Sequence, residues 1–170
     1  TTSTTAAPTT TTAPTTTVTA IPDGNGNLPD LPKGGTEVRD NGNPVDVDVK
    51  VVDNKHGIEV SSPDGVALTL SGDCGSACPV KTGSDGKPYL VMEDTGSVRV
   101  RGEGFMPGST AQVWITSTNT YLGSATVLAD GTFDKSFAVN VAPGEQTVQV
   151  NGTTASGATR SANLGLLVLA

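Results

Sequence analysis

Few side chains in this sequence could do chemistry, and most of them stand apart from one another. The two cysteines, Cys74 and Cys78, close the stretch Cys-Gly-Ser-Ala-Cys, and the single histidine is His56. A structural zinc site takes about four thiolate or imidazole ligands, so two thiols and one imidazole cannot complete one. The spacing leaves a local disulfide or two free thiols. The disulfide is the reading adopted, and it implies an oxidising compartment outside the cytoplasm. With so short a loop, its entropic effect on stability is small and it should pin a loop rather than a fold. Hydrolysis by a Ser-His-Asp or Cys-His arrangement needs a base, and His56 lies in the polar turn Asp53-Asn54-Lys55-His56-Gly57, where a solvated imidazole is expected. Asp46 and Asp48 fall about 7 Å apart on one strand face, within reach of paired-acid chemistry. Alternating acids along a strand more commonly keep its edge from pairing. No phosphate loop, dinucleotide fingerprint or metal-binding histidine pair is present. The chain is expected not to be an enzyme and to need no cofactor, calcium aside.

The calcium expectation rests on Asp23, Asn25, Asn27 and Asp30, oxygen-bearing residues at near-alternate positions with glycines between them. Such a run can wrap a calcium ion. It resembles the D-x-D-x-D-G-x-P-D loops of thrombospondin type three repeats, with two carboxylates replaced by amides and one residue fewer before Pro-Asp. The same residue types also serve flexible linkers. For binding, the side chain of interest is Trp114, the only tryptophan. Strand parity puts it with Gln112 and Thr116 on the face opposite Val113 and Ile115, with Arg99 and Arg101 expected beside it from the neighbouring strand. An exposed indole there could stack on a sugar or a cation. Alternatively, Trp114 covers its sheet against residues 36–96.

The elements that must position these residues are strands. Glycine (21 residues) and proline (11) are abundant, while aromatic residues make up 4% of the chain; that composition suits short strands and many turns. The formal charge is −7. It is unevenly spread: residues 1–44 hold four acids and two bases, 45–96 nine and four, and 97–170 four and four. An acidic middle and a neutral end do not offer the clustered positive field that nucleic acid requires. Residues 1–20 contain twelve Thr and two Pro without a charge. They read as a disordered stalk, O-glycosylated or bare, able to reach up to ~60 Å if extended. Residues 21–35 continue it as linker.

Residues 36–96 read as a small β-hairpin-rich unit, with strands at Val45–Val52, Ile58–Val60, Val66–Leu70 and Tyr89–Glu93. Four short strands are marginal as an independent domain, so they should pack on the following module or extend its sheets. In residues 97–170, Val98 and Val100 alternate with Arg99 and Arg101 before the corner Gly102-Glu103-Gly104-Phe105-Met106-Pro107-Gly108. Phe105 is placed to fold under that corner and plug the end of a core. Further strands are expected near Leu122–Leu128, Thr132–Asn140, Gln146–Asn151 and Ala158–Leu169, a spacing typical of a sandwich. The closing Leu164–Ala170 run is far shorter than the ~20 residues of a membrane span. It reads as a last buried strand, the alternative being the start of a truncated anchor.

The corner Gly102, Gly104, Phe105, Pro107 and Gly108, together with Ala129-Asp130-Gly131-Thr132-Phe133, Pro143-Gly144-Glu145-Gln146 and Val148-Gln149-Val150-Asn151-Gly152, resembles the Ig-like β-sandwich modules repeated in surface proteins of Gram-positive bacteria, actinobacteria especially. The resemblance covers about Ser97 to Leu169. It implies an all-β, Ig-like sandwich in an extracellular or cell-surface protein, acting as a non-catalytic spacer or adhesion module whose partners are other domains or other surface proteins. Two other functions stay open: a carbohydrate-binding module of a secreted glycan-active enzyme, and a subunit of a self-assembling surface layer or fibre.

Overall fold

A computed structural model describes residues 19–23, 25–31, 35–74 and 77–170, so all but the last two residues of the Thr/Pro stalk expected at 1–20 lie outside the described residues. Within them the chain is all β, with thirteen strands in chain order. These are β1 (Thr36–Asp40), β2 (Asn43–Pro44), β3 (Asp48–Val52), β4 (Gly57–Ser61), β5 (Ala67–Gly72), β6 (Val80–Thr82) and β7 (Pro88–Glu93), then β8 (Ser97–Glu103), β9 (Thr110–Ile115), β10 (Thr120–Thr126), β11 (Phe133–Ala138), β12 (Gly144–Thr153) and β13 (Thr159–Leu169). No helix among them is long and apolar enough to cross a membrane.

The strands form two packed sheets. The eight-stranded sheet A runs β10-β9-β12-β13-β1-β2, with β7 pairing parallel to the second half of β13 and β6 pairing β7. The five-stranded sheet B runs β11-β8-β5-β4-β3. Strands from 36–96 thus extend both sheets of 97–170: β5 pairs β8, while β1 and β7 divide one edge of β13 between them. One core, from Val38 and Ile58 to Leu166 and Val168, spans the whole. Pairing supplies backbone partners that four short strands could not give one another, and burial against sheet A supplies the apolar area they lack.

The corner after β8 behaves as its residue types dictate. Gly104 has φ +79°, and a Cβ there would stand 2.6 Å from the Gly65 carbonyl. Phe105 is buried, packs edge-on to Phe133 with ring centroids 5.3 Å apart, and lies against Gly152, where a Cβ would stand 2.8 Å from its ring. The corner does not return the chain to the same sheet, however. It carries the chain from β8 in sheet B to β9 in sheet A.

At one end of the sandwich a charged cluster replaces apolar packing. Arg160, opposite Asp40 in the β1–β13 register, is 2% exposed. Its Nε and Nη2 donate to Asp40 at 2.7 and 2.6 Å, and Nη1 donates to the Ser62 hydroxyl at 2.6 Å. Nη2 also donates to Asp64 Oδ2 at 2.9 Å. The cluster ties β1 and β13 of sheet A to the β4–β5 turn of sheet B. Burial opposes ionisation of Asp64, but hydrogen bonds from Ser62 and Arg160 outweigh it and hold the carboxyl below its usual 3.8.

Candidate interaction face

The outer faces of the two sheets are built differently. On sheet A the middle of the outer face is built from Gln112 and Trp114 on β9, Thr116 just past its end, Thr147, Gln149 and Asn151 on β12, and Ser161 and Asn163 on β13. None of these is charged; Glu145, at the same parity, sits at the exposed start of β12. On an antiparallel sheet such a face would ordinarily meet water, yet Gln149, Thr147 and Asn163 are fully buried. The described residues between 19 and 31 cross this face and cover it.

The cover is held by side chains gripping main chain. Gln149 Nε2 donates to the Ile21 carbonyl at 2.9 Å while its Oε1 accepts the Ile21 N–H at 2.7 Å, so one amide satisfies both backbone groups of one residue. Gln149 also donates to Asn163 Oδ1 and accepts from Asn151 Nδ2, both at 2.9 Å. Thr147 Oγ1 accepts the Leu31 N–H at 2.8 Å and donates to its carbonyl at 3.3 Å. Thr116 Oγ1 donates to the Pro29 carbonyl at 2.5 Å. Prolines at 22 and 29 cannot donate to a ladder, so a strap of this composition docks through side-chain amides and hydroxyls.

Direction matters as much as contact. Thr19 lies beside Thr153 and Thr159, at the start of β13. Leu31 lies at Thr147, which faces Gly165, whose N–H reaches the Gly35 carbonyl at 2.9 Å. The strap therefore runs along β13 in the same direction, and β1 then runs back antiparallel to it. Thr19 and Leu169 stand at opposite ends of sheet A, about 34 Å apart for an eleven-residue strand.

The strap corrects the reading of 21–35 as linker for the described residues between 21 and 31. Within it, Asp23 serves its own turn: Oδ1 accepts the N–H groups of Asn25 and Asn27 at 2.8 and 2.9 Å. Those bonds, from Asn27 first and then Asn25, lower its pKa below 3.8. Asn25, Asn27 and Asp30 are exposed, and no hydrogen bond joins Asp30 to Asp23. Trp114 is 6% exposed and stacks at a tilt on Tyr121, its cross-strand partner, 4.9 Å between centroids. Its indole Nε1 has no hydrogen-bond partner among the described residues. The cover over its face comes from strap and Tyr121, where a layer from 36–96 was the expected alternative.

Arg99 and Arg101 are not beside Trp114. Because the corner switches sheets, both lie on the outer face of sheet B. Arg99 binds Asp134 through two bonds, 2.7 and 2.6 Å, and Arg101 pairs with Asp53. The Arg99 hydrogen bond holds the Asp134 carboxyl below its usual range, and Asp134 in turn raises Arg99. A shallow groove of ≈ 460 Å³ crosses this face between Asp53, Glu59, Arg101, Glu103 and Asp134. Sheet B thus wears a charged, solvated surface.

Cys74 and Cys78 form a disulfide, Cα atoms 5.5 Å apart. Cys78 is fully buried, and a Cβ on Gly72 at the end of β5 would stand 2.2 Å from its Cβ. His56 is half-buried, with Nδ1 3.4 Å from the Cys78 carbonyl. Sequence reasoning missed Gln149, Thr147 and Thr116 as the gripping residues. A signal was there: amides and hydroxyls at consecutive outward positions, Thr147, Gln149 and Asn151 on β12 beside Gln112 on β9, with the nearest outward charge on β12, Glu145, at its exposed start. Comparison of this chain with protein-family models, curated proteins and solved structures gives no match.

Proposed function

We propose that this chain is a non-catalytic structural module, a spacer or adhesion unit of a bacterial cell-surface or secreted protein that works outside the cytoplasm. The observation that carries the reading is the strap. Without it, β1 begins and β13 ends toward the same end of the sandwich, because the two are antiparallel neighbours. With it, the described chain enters at one end and finishes at the other, so anything joined before Thr19 and after Ala170 is held apart by the length of the sandwich. Tension between those points shears the strap along its side-chain grips. The disulfide and the resemblance to Ig-like surface modules support the same reading.

The carbohydrate-binding alternative needs an indole presented to a sugar. Trp114 is buried against Tyr121, the two rings tilted 47° to one another, which favours the spacer. The test joins a fluorescent protein to each end and reads their separation by energy transfer. The reading expects a long separation that shortens when Gln149→Ala and Thr147→Val free the strap. An unchanged separation in that double variant contradicts it. Saturable quenching of Trp114 fluorescence by a polysaccharide would move the assignment to the glycan reading.

A further inference from the structure

Sheet B ends in an edge that the rest of the fold leaves open. The four residues Asp48, Val49, Lys50 and Val51 of β3 are all exposed. Across the ladder Val49 faces Val60 and Val51 faces Ile58, both buried core residues, yet Val49 and Val51 are 37% and 45% exposed. Sheet A packs over β4 and β5 through β7, and β3 projects one strand further out. The expected half-buried strand therefore holds only for Val45 and Val47, which pack against the core before β3 begins. The other side of the sandwich is closed. There the edge strands β10 and β11 meet, and Lys135 reaches from β11 across the Phe137 ring to donate to the Ser124 carbonyl of β10 at 2.7 Å. An edge strand with unpaired N–H and C=O groups and bare valines is a template for another strand.

We propose that β3 is the seam of a two-fold dimer, in which β3 of a second copy of this chain adds antiparallel and joins two five-stranded sheets into one. The sequence Val45-Asp46-Val47-Asp48-Val49-Lys50-Val51-Val52 selects both occupant and register. With Val49 on the two-fold axis, Asp48 of each copy lies opposite Lys50 of the other, giving two opposite-charge pairs on the outer face. On the inner face Val49 meets Val49 and Val47 meets Val51, so the exposed valines form one apolar stripe. Centring on Asp48 would bring Asp48 against Asp48, and centring on Lys50 would bring Lys50 against Lys50. A shift by one residue sets valines against charges. Like charges directly opposite destabilise and opposite charges stabilise a cross-strand pair; centring on Asp48 sets its two Asp46–Lys50 pairs against the Asp48–Asp48 clash, whereas the Val49-centred register has two opposite-charge pairs and no clash.

The experiment combines sedimentation of the full chain over a concentration series with oxidative cross-linking. Cys74 and Cys78 are already joined, so an introduced cysteine is the one free thiol. The seam predicts a reversible dimer. It also predicts rapid covalent dimer from Val49→Cys, none from Val51→Cys alone, and cross-linking when Val47→Cys and Val51→Cys chains are mixed. Lys50→Asp should raise the dimer dissociation constant about tenfold or more, corresponding to about 1.4 kcal/mol. The charge-swapped chain with Asp48→Lys and Lys50→Asp should restore dimerisation, which separates pairing from misfolding. A chain that stays monomeric throughout overturns the proposal and leaves the edge to a different partner. Equal cross-linking at positions 49 and 51, or a dimer indifferent to Lys50→Asp, overturns it as well.

Discussion

The outer faces of sheets A and B share a geometry and differ in what they touch. Sheet B carries Lys50, Glu59, Arg99, Arg101 and Asp134 on its outward positions, and its arginines find acids while staying wet. Sheet A carries amides and hydroxyls at the same parity and buries them under main chain. Exposed ion pairs contribute about 0–1 kcal/mol, because water solvates the separated charges nearly as well. A buried amide stripped of its partner costs about 1–3 kcal/mol. The lesson is that a neutral polar face can be a stronger fastening than a charged one, provided that every donor and acceptor is matched.

That contrast can be broken or sharpened by substitution. The largest effect is expected from Gln149→Ala, which leaves the Ile21 N–H, Asn163 Oδ1 and Asn151 Nδ2 without a partner; a loss of about 3 kcal/mol in urea unfolding, with proteolysis appearing within residues 19–31, is the expected result. Thr147→Val keeps the volume but removes the grip on Leu31. It should cost about 1.5 kcal/mol, read as a lower thermal midpoint. Acid titration is the next smaller probe. The carboxyls of Asp64 and Asp134 titrate below 3.8 in the folded chain. Their stabilisation is therefore complete above the unfolded-state value and is lost as pH falls through the lower folded value. A thermal midpoint that declines below about pH 4, while the strap stays protected because its grips carry no titratable group, fits the contrast; strap release ahead of unfolding would break it. The smallest effect belongs to Arg99→Ala on sheet B, a change near the detection limit of the same unfolding assay and shrinking further in high salt.

The strands were legible where one face is apolar and the other polar. Val98 and Val100, Val113 and Ile115, and the Leu164–Val168 run all identify core positions by period two alone. Phe105 was legible as a plug from its place in the glycine- and proline-rich corner; the space its ring fills is left by Gly152, far away in sequence. β1 and β6 were not read as strands: Thr-Glu-Val-Arg-Asp has a single buried residue, and β6 none. Their pairing partners, β13 and β7, supply what their own sequences lack. The strap was the least legible part. Its Pro, Asn and Gly content is that of a linker, and its contacts join residues 87 to 128 positions apart. Likewise, nothing local in Gly102–Gly108 tells whether the corner makes a hairpin or crosses between sheets, so Arg99 and Arg101 were placed beside Trp114 when they belong to the other layer.

The most direct test of the account is amide hydrogen exchange at Ile21 and Leu31 in the full chain. Their N–H groups are given to the Gln149 and Thr147 side chains, so the account predicts slow exchange at both, approaching that of the β12 and β13 core, and fast exchange at Ile21 once Gln149 is truncated to Ala. Exchange of both amides at the rate of an unstructured peptide in the unmodified chain would contradict it, for then sheet A would have no cover and the module no fixed span.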